Sequence, residues 1–98
     1  MIKRDSTIKK LSEIREEVGA RFKVKSLAIF GSVARNEAEE GSDLDVLVDF
    51  EGPATFDNYM DLKFFLEDLL QVKVDLVTQK ALRPQLRPYV EKELVFVA

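Results

Sequence analysis

The sequence predicts an α/β (α+β) fold, a single domain over residues 1–98 in which helices pack against one sheet. Segments with apolar residues at helical spacing alternate with short β-branched runs, which gives the order α-β-α-β-α-β-α. The length of 98 residues is that of one domain. No internal repeat, low-complexity tract or linker divides the sequence, so we expect one continuous core.

The first helix is expected over residues 6–21, where apolar residues recur at helical spacing. Its apolar face consists of Ile8, Leu11, Ile14 and Val18. Asp5 or Ser6 is expected to cap its start, and Gly19 to loosen its end. We expect this face to pack on the sheet, with binding of a partner as the alternative.

Three strands are expected where short runs are rich in β-branched and apolar residues. They cover residues 25–30, 44–50 and 72–78. Between the first two, residues 33–38 predict a short helix or a turn. Glycine-containing pairs, Gly41-Ser42 and Gly52-Pro53, bound the second strand on either side.

Two further helices are expected in the second half of the chain, over residues 55–71 and after Pro84. The apolar stripe of the longer one is Tyr59, Leu62, Leu66 and Leu69, with Phe56, Phe65 and Leu70 beside it. In the final helix, the residues expected to face inward are Leu86, Tyr89, Val90 and Leu94. Pro88 is expected to kink or restart that helix. Residues 94–97 predict either its end or a brief edge strand.

The chain contains no Cys and no His, which narrows the chemistry available to it. A thiolate nucleophile, a disulfide scaffold, a histidine base and histidine or cysteine metal sites are all excluded. A bound metal would have oxygen ligands, which favours a hard cation such as Mg²⁺, Mn²⁺ or Ca²⁺. A general base would be a carboxylate or a lysine.

The first residues are polar and do not resemble a signal peptide, and the apolar runs are shorter than a membrane span, so a cytoplasmic location is predicted. The net charge is −3, but the acids are concentrated. Residues 37–51 hold seven carboxylates and no base, whereas residues 1–25 hold eight bases and four acids. The acidic segment is either a solvated surface or a cation site flanked by basic ends.

Two acids open the second predicted strand and a third lies in the middle of the third strand. Asp43 and Asp45 are two residues apart, so their side chains share one face of the strand. Two carboxylates in this arrangement can converge on one or two divalent cations. If the third strand lies beside the second, Asp75 would complete a site of three carboxylates.

The first predicted strand ends at Gly31-Ser32, a pair that suits an anion. Glycine lets the backbone approach a ligand closely, and a turn into a helix directs N–H groups at it. Ser32 adds a hydroxyl donor, and Arg35, one helical turn further, adds positive charge. Each feature alone is usually just a turn or a surface acid. Their combination in this order predicts a site for a triphosphate and its cations.

These motifs resemble those of a minimal nucleotidyltransferase domain of the DNA polymerase β superfamily. The resemblance rests on residues 31–35 (GSVAR), 42–48 (SDLDVLV) and 74–77 (VDLV) and spans nearly the whole chain. Asn36 stands where many relatives have glycine, a departure that concerns the geometry of the loop.

Membership would imply a nucleotidyltransferase fold, with a mixed sheet of three to four strands backed by helices. It would also imply that Asp43 and Asp45 bind two Mg²⁺ ions, and that Asp75 binds one of them and helps to deprotonate the acceptor. Gly31 and Ser32 would hold the phosphates of ATP. The reaction would be attack of a hydroxyl on the α-phosphorus, with release of pyrophosphate.

Proteins of this size in the family resemble the antitoxin of a toxin–antitoxin pair whose toxin is a HEPN-family ribonuclease. The resemblance implies an adenylyltransferase that adds AMP to a tyrosine of the toxin, which would be presented in trans. Two alternatives stay open: a non-catalytic antitoxin that occludes its partner, or a transferase acting on RNA or a small molecule. The net negative charge makes a nucleic-acid partner the weaker expectation. The sequence contains no motif that indicates which nucleotide is preferred or what the oligomeric state is.

Overall fold

The computed structural model describes residues 3–97 and centres on a four-stranded sheet. The helices are α1 (Arg4–Glu13), α2 (Arg15–Phe22), α3 (Gly31–Ala34), α4 (Phe56–Leu70) and α5 (Arg87–Glu93). The strands are β1 (Val24–Phe30), β2 (Leu44–Phe50), β3 (Val74–Thr78) and β4 (Val95–Phe96). A 3-10 helix, Gln79–Ala81, follows β3. The predicted order is confirmed, except that the first helix is divided and a short strand is added at the end.

The sheet is mixed, and its strand order is β3-β2-β1-β4. β1 is antiparallel to both β2 and β4, whereas β2 and β3 are parallel. Parallel neighbours need a crossover connection, which α4 supplies between β2 and β3. The predicted α/β (α+β) class with a mixed sheet is therefore confirmed, and the parallel pair brings the second and third predicted strands together.

Alternation along β2 separates a buried face from a face that carries acids. Leu44, Val46 and Val48 are fully buried in one core cluster with helix residues. The fully buried leucines and valines of the helices in that cluster are Leu11, Val18, Val33, Leu62 and Leu66. Asp45 lies on the other face of β2, beside the start of α3. The packed face fixes the position of the strand that presents the acid.

α4 is the longest of the described helices, and its first turn carries an exposed apolar side chain whereas its middle carries buried ones. Thr55 caps it, because its hydroxyl accepts a hydrogen bond of 3.1 Å from the amide of Asn58. Leu62 and Leu66 are buried as predicted, but Phe56 is 75% exposed, so its predicted packing is wrong. Phe56 lies in the first turn, on the rim of a surface cavity of about 510 Å³.

In the part of the chain that the structure describes, no helix is both long and apolar enough to cross a membrane.

The predicted N-terminal helix is interrupted at Ile14, which separates α1 from α2. The Ile14 amide donates to the Leu11 carbonyl, a tight turn that redirects the chain while Leu11 and Val18 both stay buried. The predicted cap is wrong, because Lys3 is the N-cap residue and no side chain caps the helix. The helix also continues through Gly19 and ends at Phe22, where Lys23 adopts a left-handed conformation.

The final helix begins later than predicted, at Arg87, with Pro88 rather than Pro84 in its first turn. Its predicted inward face is half wrong: Leu86 is 47% and Tyr89 is 70% exposed, whereas Val90 and Leu94 are partly buried. The reason is that α5 is short and lies at the periphery, with no buried residue of its own. Of the two alternatives for residues 94–97, the brief edge strand is the one observed.

The core can be tested with Leu66→Ala, which removes a fully buried side chain of α4. We expect the free energy of unfolding to fall by about 2–5 kcal/mol, because the substitution loses apolar contacts and leaves a cavity. Urea denaturation measures this. Phe64→Ala is the matched control in the same helix, since Phe64 is largely exposed. Equal losses in the two variants would contradict this description of the core.

Candidate active site

Asp45 and Asp75 are direct neighbours across the parallel strands β2 and β3. Because paired residues of neighbouring strands project from the same face of a sheet, the two carboxylates lie side by side. Asp45 is partly buried, and Asp75, on the edge strand, is exposed. The predicted adjacency of the second and third strands thus brings two of the three predicted acids together.

Gly31 packs directly against Asp45, since Phe30 pairs with Asp45 and β1 ends there. A Cβ on residue 31 would lie 2.1 Å from Oδ2 and 3.0 Å from Cγ of Asp45. Gly31 also has a φ of +74°, which side-chain-bearing residues rarely adopt. Close approach and backbone conformation therefore both require glycine at the position where the sequence predicts a phosphate turn.

The electrostatics of Asp45 reflect its acidic neighbours. Burial, the negative charges of Asp75 and Asp43, and a hydrogen bond shared with Asp75 raise the pKa of Asp45 to about 6. The positive charge of Arg35 opposes the shift without cancelling it. The folded chain thus holds a carboxyl group that ionises at a higher pH than an ordinary aspartate.

Asp43 lies in the loop that precedes β2, where it is exposed but close enough for its charge to act on Asp45. Within residues 3–97, no group of three acidic side chains is gathered closely enough to form a complete metal-binding set. The structure therefore contains the Asp45–Asp75 pair and an adjacent third carboxylate, rather than the preformed cage. Repulsion among like charges gives a physical reason for this spread.

α3 carries the remaining predicted residues. Gly31 begins the helix, Ser32 is its second residue, and the amide of the C-cap residue Arg35 closes it by donating to the Gly31 carbonyl at 3.0 Å. Asn36 then takes a left-handed conformation with a φ of 61°, which asparagine tolerates better than most residues. This accounts for how Asn36 can replace the glycine of relatives. The guanidinium of Arg35 is already engaged by Glu37 at 3.0 Å and by Glu93 at 2.7 Å.

Two residues near the site carry no recognisable signal in the sequence. Glu93, at the end of α5, accepts hydrogen bonds from Arg35 and from the Gly31 amide, which precede it by 58 and 62 residues. The Tyr59 hydroxyl donates to the Leu76 carbonyl, next to Asp75. Burial and the charge of Asp75 raise the pKa of Tyr59. Both contacts depend on tertiary packing rather than on a local motif.

The family model of the nucleotidyltransferase domain matches residues 11–97. A Methanocaldococcus jannaschii protein with the provisional name of protein adenylyltransferase is 41% identical over 98 residues, covering 92% of this chain and all of the relative. Protein adenylyltransferase MntA of Thermococcus cleftensis is 39% identical over 87 residues, covering 89% of this chain and 88% of the relative. The chain therefore belongs to the nucleotidyltransferase domain family, and the resemblance inferred from its motifs is confirmed.

Solved structures agree with this assignment. A structure described, provisionally, as that of a minimal nucleotidyltransferase superimposes with a TM-score of 0.81 at 40% identity, covering 96% of this chain and 95% of that one. A complex of a tri-AMPylated HEPN toxin of Shewanella oneidensis with an MNT antitoxin contains a chain that matches with a TM-score of 0.69. That chain is 19% identical, with coverage of 97% of this chain and 71% of that one, so it supports the fold alone.

The raised pKa of Asp45 makes a prediction about stability in the absence of divalent cations. The ordinary value of 3.8 applies to the unfolded chain and a value of about 6 to the folded one, so ionisation destabilises the folded state. This penalty is absent below pH 3.8, grows up to about pH 6 and is complete above it. Asp45→Asn should therefore raise the melting temperature more at pH 7.5 than at pH 4, measured with EDTA present.

Asp49→Asn is the matched control for this experiment. Asp49 lies on the same face of β2, four residues further along, and pairs with Ser26 rather than with another acid. Its replacement leaves the Asp45–Asp75 pair unchanged, so the pH-dependent gain should be missing. A gain for Asp45→Asn that is equal at both pH values would show that ionisation of Asp45 is not its cause.

Proposed function

We propose that this protein is a Mg²⁺-dependent adenylyltransferase that transfers AMP from ATP to a tyrosine hydroxyl of a HEPN-type toxin and so acts as an antitoxin. The observation that carries the proposal is the meeting of Asp45 and Asp75 beside Gly31, on a chain of the nucleotidyltransferase family. The relative named protein adenylyltransferase MntA supports the reaction. A chain of the same fold occurs in a complex with a tri-AMPylated HEPN toxin, and this is the kind of acceptor that the proposal names. A cytoplasmic location stays part of the proposal.

Asp43, Asp45 and Asp75 are the residues proposed to hold the cation. These three side chains offer carboxylate oxygens, which are the ligands that Mg²⁺ prefers. The pKa of Asp45, which burial and the charges of Asp75 and Asp43 raise, is further support, since a divalent cation would stabilise the ionised carboxylate against both effects. When bound, one or two Mg²⁺ ions would neutralise phosphate charge and increase the acidity of the acceptor hydroxyl.

Gly31 and Ser32 are proposed to hold the phosphates of the nucleotide. The lack of a side chain on residue 31 lets the backbone lie against Asp45, so that phosphate donors and metal ligands are adjacent. Ser32 contributes a hydroxyl donor at the same turn. Arg35 is proposed to add positive charge, and it is already oriented toward this turn through Glu93. Binding and orientation of the triphosphate would then follow from neighbouring residues of one turn.

The proposed reaction is an in-line displacement at the α-phosphorus. The oxygen of the acceptor hydroxyl forms a bond to that phosphorus, and the bond between the phosphorus and the leaving pyrophosphate oxygen breaks. The hydroxyl proton passes to the carboxylate of Asp75. Asp75 suits this role because it lies on an exposed edge strand, where an acceptor from another protein can reach it.

The reaction can be tested with α-labelled ATP, Mg²⁺ and a HEPN-type partner. The wild type should transfer label to the partner, and Asp43→Asn/Asp45→Asn should reduce transfer by at least about 100-fold, because two proposed cation ligands lose their charge. Asp49→Asn should transfer label normally, since Asp49 lies outside the acidic pair. Undiminished transfer by the double variant would contradict the proposed site.

The same double variant separates catalysis from occlusion, the second candidate function. Leu86, Tyr89 and Phe96 are exposed apolar residues of the C-terminal segment, a surface that a protein partner could cover. A catalytic antitoxin loses neutralisation of the toxin in the double variant, whereas an occluding one keeps it. Label that appears in RNA instead of protein would favour the third alternative, which the exposed Glu39 and Glu40 beside Ser42 disfavour.

Gly31→Ala provides a prediction about nucleotide binding. The new Cβ would overlap the Asp45 carboxylate, so we expect binding of Mg²⁺-ATP to weaken by at least about tenfold, measured by calorimetry. Gly41→Ala is the matched control, because Gly41 also has a positive φ, of +85°, but its Cβ would meet no atom within 4 Å. Both variants should lose stability through backbone strain, about 1–2 kcal/mol each. Equal loss of binding in both would attribute the effect to strain rather than to the contact with Asp45.

A further inference from the structure

Glu93 holds the two donors that the proposed function assigns to nucleotide phosphates. Its Oε2 accepts a hydrogen bond of 3.2 Å from the Gly31 amide, and its Oε1 accepts one of 2.7 Å from Nη1 of Arg35. Oxygens on one carboxylate thus bridge a backbone N–H and a guanidinium. An anionic group that bridges such donors is the arrangement in which phosphate oxygens also bind.

We propose that Glu93 occupies the phosphate-binding turn as a substitute for phosphate, and that the triphosphate must displace it to bind. The inference rests on the proposed function, because it concerns the donors assigned there to the nucleotide. It deepens that function by adding a positioning residue from α5, an element outside the Gly-Ser and aspartate motifs. Glu93 would keep the turn and Arg35 arranged for an anion while no nucleotide is bound.

The position of Glu93 allows such an exchange. Its side chain is 28% exposed, so water can solvate the carboxylate once it leaves the turn. It ends a helix in which no residue is buried, and the strand that follows is only two residues long. Movement of the carboxylate therefore disturbs little of the core. Glu37 pairs with Arg35 at 3.0 Å in an exposed ion pair, so the guanidinium keeps a partner when Glu93 leaves.

Charge makes simultaneous occupancy unfavourable. A triphosphate at Gly31 would bring several negative charges against the Glu93 carboxylate, beside a site that already contains Asp43, Asp45 and Asp75. Like charges at hydrogen-bonding separation repel strongly where water is partly excluded. The apparent affinity for nucleotide is then lowered by the fraction of molecules in which Glu93 occupies the turn.

Calorimetric titration of the full chain with Mg²⁺-ATP and Mg²⁺-pyrophosphate tests this inference. Glu93→Gln keeps the shape of the side chain and an oxygen that can accept from Gly31, but it removes the charge. We expect Glu93→Gln to bind both ligands about five- to tenfold more tightly than the wild type, because the competing anion is gone. A residue that merely supports the turn would give weaker binding when replaced, so the direction of the change is decisive.

Glu37→Gln is the matched control, because Glu37 also pairs with Arg35 but makes no hydrogen bond to Gly31. Its affinity should stay within about twofold of the wild type, as is usual for an exposed ion pair. Unchanged or weaker binding by Glu93→Gln, alongside binding by the wild type, overturns the inference and leaves the proposed function standing. Binding by Glu93→Gln alone supports the inference. Absence of binding in all three proteins overturns both.

Discussion

The approach of the Gly31 backbone to the Asp45 carboxylate is the constraint on which the candidate site depends. The antiparallel pairing of β1 with β2 ends where Phe30 meets Asp45, so the next residue has to pass directly over the acid. A Cβ there would collide with the carboxylate, and the backbone turns with a positive φ. A residue without a side chain thus allows the end of one strand, the start of α3 and the acid of the next strand to meet.

A second consequence of this geometry is that ionisation of Asp45 opposes folding. The buried face of β2 holds Leu44, Val46 and Val48 firmly, and this packing forces Asp45 toward Asp75 on the opposite face. Burial and the charges of Asp75 and Asp43 together raise the pKa of Asp45. Carboxylates kept in such proximity favour the arrival of a cation, because positive charge removes the repulsion that folding imposes. The ionised Asp45 therefore lowers the stability of the chain without a cation, and the same charge favours binding of a cation.

Much of this site could be predicted from the sequence because its signals are local. An acid at alternate spacing in an apolar strand predicts that Asp45 lies on the face opposite the core, and Gly-Ser after a strand predicts a turn. The expectation that Asp43 shares that strand face is wrong, because β2 begins at Leu44 and Asp43 lies in the preceding loop. The adjacency of Asp75 needed one further assumption, the pairing of β2 with β3, and that assumption was correct. The predictions of burial that were wrong concern residues whose exposure depends on how the helices pack in the fold. Leu86 and Tyr89 follow helical periodicity, yet they are exposed because α5 lies at the periphery, where no other element within residues 3–97 covers them.

The contacts of Glu93 show why some residues of the candidate site could not be predicted from the sequence. They also connect the site to the exposed surface of α5. Hydrogen bonds that span 58 and 62 residues exist only after β1 and α5 have packed, so no spacing rule reveals them. Tyr89 precedes Glu93 by four residues and so lies on the same side of α5. A protein that covered the exposed Tyr89 would contact the helix whose last residue, Glu93, accepts hydrogen bonds from Gly31 and Arg35. The exposed Tyr89 and the carboxylate that contacts the Gly31 turn are therefore parts of the same short helix.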